Sequence, residues 1–198
     1  MSPQNSYKLS DRSTIRNLES ILKILDDDKP VLIGGIAVAV YASYYGLPYD
    51  RKTKDIDFVI NKNKKIHTKE IIYKELQNSS IREGQIFGYD GIEIIYKDGP
   101  SISILFKDGE IPYNEIKLKL GKKEIKLYVA KMEYLFVDKI FTYLNRKERK
   151  DLEDIKVLYN LMKKHGYDKE LLYKIFNEYS RKYRKYSSKA GYIIEKTL

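Results

Sequence analysis

The sequence predicts a mixed α/β fold, a mixed sheet flanked by helices, with a C-terminal helical lobe. Three observations carry this. Apolar residues near the N-terminus recur at helical spacing. Between Val31 and Val129, short apolar or alternating runs are separated by Gly, Pro and Asp turn signals. From Lys131 onward the pattern is helical almost throughout. At 198 residues the chain fits one domain with an appendage, or two small lobes. The expected division is an α/β part over 1–130, including the first helix, and a helical region over 131–198.

In chain order, Ile15, Leu18, Ile21, Leu22 and Leu25 mark a first helix. Asp26-Asp27-Asp28 should lie just past its end, because acids oppose the dipole there. Val31-Leu32-Ile33 reads as a buried strand, Gly34-Gly35 as a turn, and Ile36 to Tyr45 as an Ala-rich helix. Gly46 to Lys54 reads as a loop and Asp55 to Ile60 as a strand, followed by a helix near Thr68 to Gln77. Strands follow around Gly91–Lys97 and Ser101–Phe106, joined by Asp98-Gly99-Pro100, then Glu115–Leu120 and Glu124–Val129, joined by Gly121-Lys122-Lys123. Helices are expected at Lys131–Leu144, Lys150–His165 and Lys169–Tyr186, with no internal repeat.

Composition excludes several chemistries. The chain has no cysteine, which removes disulfides, zinc–thiolate sites, iron–sulfur clusters and cysteine nucleophiles. Only His67 and His165 remain as imidazole ligands, far apart in sequence, so carboxylate-held hard metals are the metals to expect. A net charge of +10 favours a polyanionic partner. The excess is uneven: between Tyr179 and Leu198, six basic residues face Glu195 alone. The start has no apolar signal core, and the charge-free stretch Pro30–Tyr49 is broken by Gly, Ser and Pro, so a soluble cytoplasmic protein without membrane contact is expected.

The chemistry concentrates in VLIGGIAVAVYASYYGLPYDRKTKDIDFVI. On a strand, residues two apart share a face, so Asp55 and Asp57 project together while Ile56 and Phe58 face the core. Two adjacent carboxylates repel unless a cation or a shared proton compensates, and Mg²⁺ or Mn²⁺ suits them while leaving coordination sites for phosphates. The Gly34-Gly35 turn permits close backbone approach, and the following helix opens with free amides where an anion could sit.

This order of strand, Gly-Gly, helix, loop and D-x-D strand resembles the nucleotidyltransferase superfold of DNA polymerase β type, and most closely the AbiEii-type nucleotidyltransferase toxins and their relatives. Gly34, Gly35 and Ala37 match a Gly-Gly-x-Ala element. Arg51, Thr53, Asp55 and Asp57 match Arg-x-Thr-x-Asp-hydrophobic-Asp. Met132-Glu133-Tyr134-Leu135 leading to Lys139, and Arg149-Lys150-Asp151-Leu152-Glu153-Asp154, approximate two further family patterns. The resemblance implies metal binding by Asp55 and Asp57, with Gly34 and Gly35 beside an NTP such as ATP. It also implies phosphate contact by Lys139, and an acidic motif of Asp151 and Asp154 near nucleotide or acceptor. Arg51, Thr53 and Lys54 are expected at the nucleotide as well. The alternative for Asp151 and Asp154 is plain i,i+4 pairing, Lys147 with Asp151 and Lys150 with Asp154.

One position departs from the family pattern. A later strand carries a third carboxylate in many members, and Ser103 stands there in this chain. Glu93 on the preceding strand is the candidate substitute, depending on register. A two-residue turn at Asp98-Gly99 sets Ser103 opposite Ile94 and turns Glu93 away. A three-residue Asp98-Gly99-Pro100 loop pairs Ser103 with Ile95 and brings Glu93 to the same face.

The last segment sets Leu172, Ile175, Phe176, Tyr179 and Tyr183 on one helical stripe and adds Arg181, Lys182, Arg184 and Lys185. Cations between tyrosines suit RNA, although a solvated helix end explains them equally well. The expected function is metal-dependent transfer of an NMP from an NTP to an acceptor hydroxyl. The acceptor expected is a tRNA-like RNA, and the resemblance suggests a toxin paired with an antitoxin protein. The alternatives are a degenerate member that binds nucleotide or RNA, and a phosphotransferase on the same fold.

Overall fold

The computed structural model describes residues 7–49, 51–77, 79–120 and 123–198. Its centre is a seven-stranded sheet in the order β5-β6-β7-β4-β2-β9-β8. In chain order these are β2 (Val31–Ile33), β4 (Asp55–Asn61), β5 (Ser80–Ile86), β6 (Tyr89–Ile95), β7 (Ser101–Lys107), β8 (Tyr113–Leu120) and β9 (Lys123–Ala130). The β4–β7 and β2–β9 pairs are parallel and the remaining pairs antiparallel, so the sheet is mixed, as expected. A separate two-stranded ribbon joins β1 (Tyr7–Lys8) to β3 (Lys52–Thr53).

The described residues also form α1 (Arg12–Ile24), α2 (Gly34–Tyr44), α3 (Lys65–Glu75), α4 (Met132–Arg146), α5 (Arg149–His165), α6 (Lys169–Lys182) and α7 (Ser187–Thr197). The three aspartates after α1 form a short 3-10 turn beyond the helix. One of them, Asp28, is buried and accepts the Thr68 hydroxyl at 2.7 Å, which ties this turn to α3. No helix among the described residues is long and apolar enough to cross a membrane.

Four differences from the sequence reading have physical causes. The Gly-Gly pair is not a separate turn, because α2 begins at Gly34 directly off β2, with Gly34 at φ +73°. The loop before Asp55 contains β3, which is too short to show a period. The polar edge strand β5 (SIREGQI) escaped notice because most of its side chains are solvent-exposed, leaving no apolar alternation to read. The helix expected to run to Tyr186 stops at Lys182, kinks through a 3-10 turn at Arg184–Tyr186 and resumes as α7. The Gly121-Lys122 part of the expected turn lies outside the described residues.

The period-2 pattern of β4 places the site. Ile56, Phe58 and Ile60 are buried with at most 1% exposure, and they force Asp55 and Asp57 onto the opposite face. From Met132 to Phe141, α4 is buried at almost every position, and it packs against α2, α5, α6 and α7. A helix surrounded in this way has no wholly solvated side on which to dispose of a charge. The Lys139 side chain is accordingly only 4% exposed.

Candidate active site

Asp55 and Asp57 leave β4 side by side, and each is held differently. The Thr53 hydroxyl lies 2.9 Å from the Asp55 Oδ1 and 3.0 Å from its carbonyl, which fixes that carboxylate at the strand entrance. Asp57 reaches across to the start of α2. A methyl group built on Gly34 would stand 2.7 Å from the Asp57 Oδ2, so only a glycine leaves room for that oxygen. The other oxygen, Oδ1, is sealed from solvent and has no hydrogen-bond partner among the described residues. Burial, followed by the charge of Asp55, pushes the Asp57 carboxyl up to about 7, while Lys139 and the Ser103 hydroxyl pull the other way.

A half-buried carboxylate with one sealed, idle oxygen and a second carboxylate beside it is a site short of positive charge. That donor set fits a divalent hard cation. Among the described residues no group of three or more acidic or imidazole side chains gathers around one point. Mg²⁺ commonly uses one or two carboxylates and completes its shell with water and substrate phosphates, so a pair suffices.

Gly35 has a different task. A methyl group there would stand 2.7 Å from the Arg51 Nη2. The Gly-Gly pair thus clears space for two site side chains, Asp57 and Arg51. Arg51 in turn donates from Nε to the Asp154 Oδ1 at 3.0 Å. Gly34→Ala should therefore act twice, through a left-handed backbone and through a clash with Asp57. We expect a loss of roughly 1–3 kcal/mol of stability together with displacement of the Asp57 carboxylate. Denaturant unfolding checks the first effect, and a loss under 0.5 kcal/mol would contradict it.

Asp154 and Asp151 lie on α5, fully buried, one helical turn apart. Asp154 accepts from Arg51, from the Tyr49 hydroxyl at 2.5 Å and from the Lys139 Nζ at 2.8 Å. Asp151 takes a two-pronged contact from Arg146, at 2.7 and 2.8 Å, and stands 3.6 Å from Lys139. Burial opposes the charge on Asp151, yet Arg146 and Lys139 outweigh it and hold its carboxyl below the ordinary range. The surface i,i+4 pairs considered for these aspartates are not what holds them. Lys150 pairs instead with Glu148, and the i,i+4 pair on this helix is Arg149 with Glu153. Lys139 therefore sits on the acidic motif while its charge reaches Asp57.

The strand register decides the Glu93 alternative. Asp57 is the parallel partner of Ser103, and Ser103 is the antiparallel partner of Glu93 itself. The parity is that of the three-residue loop, with the pairing moved two residues beyond the expected Ile95. The observed strands stop at Ile95 and resume at Ser101, which leaves a longer connection than either alternative. Asp57, Ser103 and Glu93 consequently share one face of three neighbouring strands.

Other expected residues lie farther out. Arg181 and Arg184 are exposed and carry no ion pair among the described residues. Lys182 donates to the Tyr89 hydroxyl at 2.6 Å, and Lys185 lies 4.6 Å from the Tyr186 ring centre. Lys54 adjoins the aspartate pair in sequence and is exposed. Sequence reasoning missed Tyr49, Arg146 and the group in which the Tyr179 hydroxyl meets Asp138 at 2.9 Å and Tyr134 at 3.1 Å. The contact of Tyr49 with Asp154 spans 105 residues, so no local pattern could announce it.

A carboxylate pair on a mixed sheet, beside a helix that opens with two glycines, defines the nucleotidyltransferase fold, and solved structures agree. The antibiotic-resistance factor ANT(2'')-Ia in solution superposes with a TM-score of 0.60 at 14% identity, over 92% of this chain and 99% of that one. The same protein in complex with adenylyl-2"-tobramycin gives 0.55 at 12% identity, over 85% and 98%. An antigenic nucleotidyltransferase-like protein from Paracoccidioides brasiliensis gives 0.50 at 16%, over 94% and 95%. The sequence has no match among curated proteins. Residues 16–197 match the family described as nucleotidyl transferase AbiEii toxin, type IV TA system, and the chain belongs to that family.

Proposed function

We propose that this chain transfers a nucleoside monophosphate from an NTP, ATP among them, to a hydroxyl of an RNA acceptor, with Asp55 and Asp57 holding a divalent cation. One observation carries the reading: the sealed Asp57 Oδ1, without a hydrogen-bond partner among the described residues, lies beside Asp55, and Gly34 makes room for the carboxylate. Mg²⁺ or Mn²⁺, when bound, supplies charge for the triphosphate and for the departing pyrophosphate. The chain's own residues do the rest. Thr53 holds the Asp55 carboxylate where β4 begins. Lys139, held by Asp151 and Asp154, adds positive charge behind Asp57 on the side where the phosphates would lie. Arg51 is held at the Gly35 end of α2, and Lys54 stands at the entrance on the nucleotide side.

Purified protein given Mg²⁺, pooled tRNA and labelled ATP, CTP, GTP or UTP tests this. Label from the α position must appear in the RNA. Label from the γ position alone would make the protein a phosphotransferase. Absence of both, with NTP still bound, would favour a binding protein. Ser103 in place of an acid is the observation that favours that last reading.

The +10 charge and the exposed Arg181 and Arg184, which carry no ion pair among the described residues, support an RNA acceptor. The basic segment cannot simply be cut away, because Ala190 and Ile194 beyond it are buried in the core. The paired change R181A/R184A is the cleaner probe. RNA affinity should fall by about tenfold near 0.1 M salt, and the log–log salt slope should become shallower by about 1.5. Unchanged affinity and slope would remove the tail from the RNA site. The family description adds the wider role we propose, the toxin of a toxin–antitoxin pair neutralised by an antitoxin.

A further inference from the structure

We propose that Glu93 is the base that takes the proton from the attacking acceptor hydroxyl, a post moved one strand outward from the position held by Ser103. The inference rests on the transferase reading above. Its footing is the register: Asp57, Ser103 and Glu93 are successive lateral partners on β4, β7 and β6. Side chains of lateral partners project from the same face, so Glu93 rises from the surface that carries the aspartate pair.

The distance fixes its role. Two strand spacings separate the Cα atoms of Asp57 and Glu93 by about 10 Å. Glu93 joins no cluster of three acids, which makes it a poor third ligand for an ion held by Asp55 and Asp57. That offset instead sets Glu93 apart from the ion's ligands while keeping it on their face of the sheet. A glutamate from the next strand reaches farther than the aspartate it replaces, by one methylene.

Glu93 is also uncommitted. It is half-buried and makes no hydrogen bond or ion pair among the described residues, although Arg82 stands directly opposite on β5. Ser103, buried against Asp57, cannot do the work alone, since an isolated hydroxyl is too weak a base at neutral pH.

The step balances. The acceptor oxygen forms a bond to the α-phosphorus, the bond from that phosphorus to the bridging oxygen breaks, and its electron pair leaves on pyrophosphate. The hydroxyl proton passes to the Glu93 carboxylate and from there to water.

The test compares wild type with E93Q, S103D and the double variant E93Q/S103D. Three quantities are read: single-turnover transfer of α-labelled NMP, affinity for Mn²⁺ with a non-hydrolysable NTP, and thermal midpoint. We expect E93Q to lose about 10²- to 10³-fold in transfer while binding the nucleotide within twofold of wild type and melting no lower. Placing an acid at position 103 should return at least tenfold of that loss, a rescue that a merely structural role for Glu93 would not give. E93Q transferring within threefold of wild type overturns the assignment, and so does a loss that tracks nucleotide affinity or a double variant that stays inactive. A wild type that moves no α label overturns the transferase reading and this assignment with it, whereas an active wild type with an active E93Q overturns the assignment alone.

Discussion

Asp57→Asn should abolish labelling of the acceptor, lowering transfer by about 10³-fold or more, while leaving the protein at least as stable as wild type. The two effects have one cause. The folded protein holds this carboxyl at about 7 against an ordinary 3.8, so folding favours the protonated form. The sign follows from linkage: ionised Asp57 lowers stability as pH climbs from 3.8 towards about 7, and the full penalty is present above that window. Asparagine keeps the shape and carries no charge, so metal-free variant protein at pH 8 should melt above wild type. Calorimetry checks the stability and α-label transfer checks the chemistry. A variant that labels as well as wild type, or melts well below it, would mean that Asp57 serves the fold.

Asp154→Ala should have the opposite signature, a severe loss of stability. Its carboxylate is wholly buried and takes donors from Tyr49, Arg51 and Lys139. Removing it leaves the Lys139 side chain, 4% exposed, with Asp151 at 3.6 Å as its remaining ion pair among the described residues, and it frees Arg51 from its place beside Gly35. Breaking a buried pair from one side costs about 3–5 kcal/mol, because the remaining charge stays buried without its partner. For a chain of this size that is a fall in midpoint on the order of 10 °C. Transfer should fall as well, since Lys139 loses the support that aims it. A midpoint within 2 °C of wild type would show that water or a neighbour replaces the aspartate.

The legible parts of this molecule were those written in local patterns. DIDFVI announces a half-buried strand by its period, and with it the shared face of Asp55 and Asp57. The run VLIGGIAVAV announces a strand feeding a helix, though the helix takes in both glycines. Helical spacing places α4, α5 and most of α6. What escaped depended on partners distant in sequence. Nothing near Asp154 says that Tyr49 and Arg51 will meet it, and nothing near Gly34 says that an aspartate 23 positions later will fill the space of its missing methyl. Glu93 lay between these cases. Its residue type was visible, but its face turned on the length of one connection, and only the paired strands decide that. Likewise no local pattern marked α7, since Ala190 and Ile194 reveal their burial only once α4 lies beneath them.

The central claim is that Asp55 and Asp57 together hold the divalent ion that meets the triphosphate. Crystals grown with Mn²⁺ and a non-hydrolysable NTP test it most directly, through anomalous scattering at the manganese edge. The expected result is a peak within about 2.0–2.3 Å of a carboxylate oxygen from each aspartate, adjoining the phosphates. A peak elsewhere on the protein, or nucleotide bound with no metal at this pair, would contradict it.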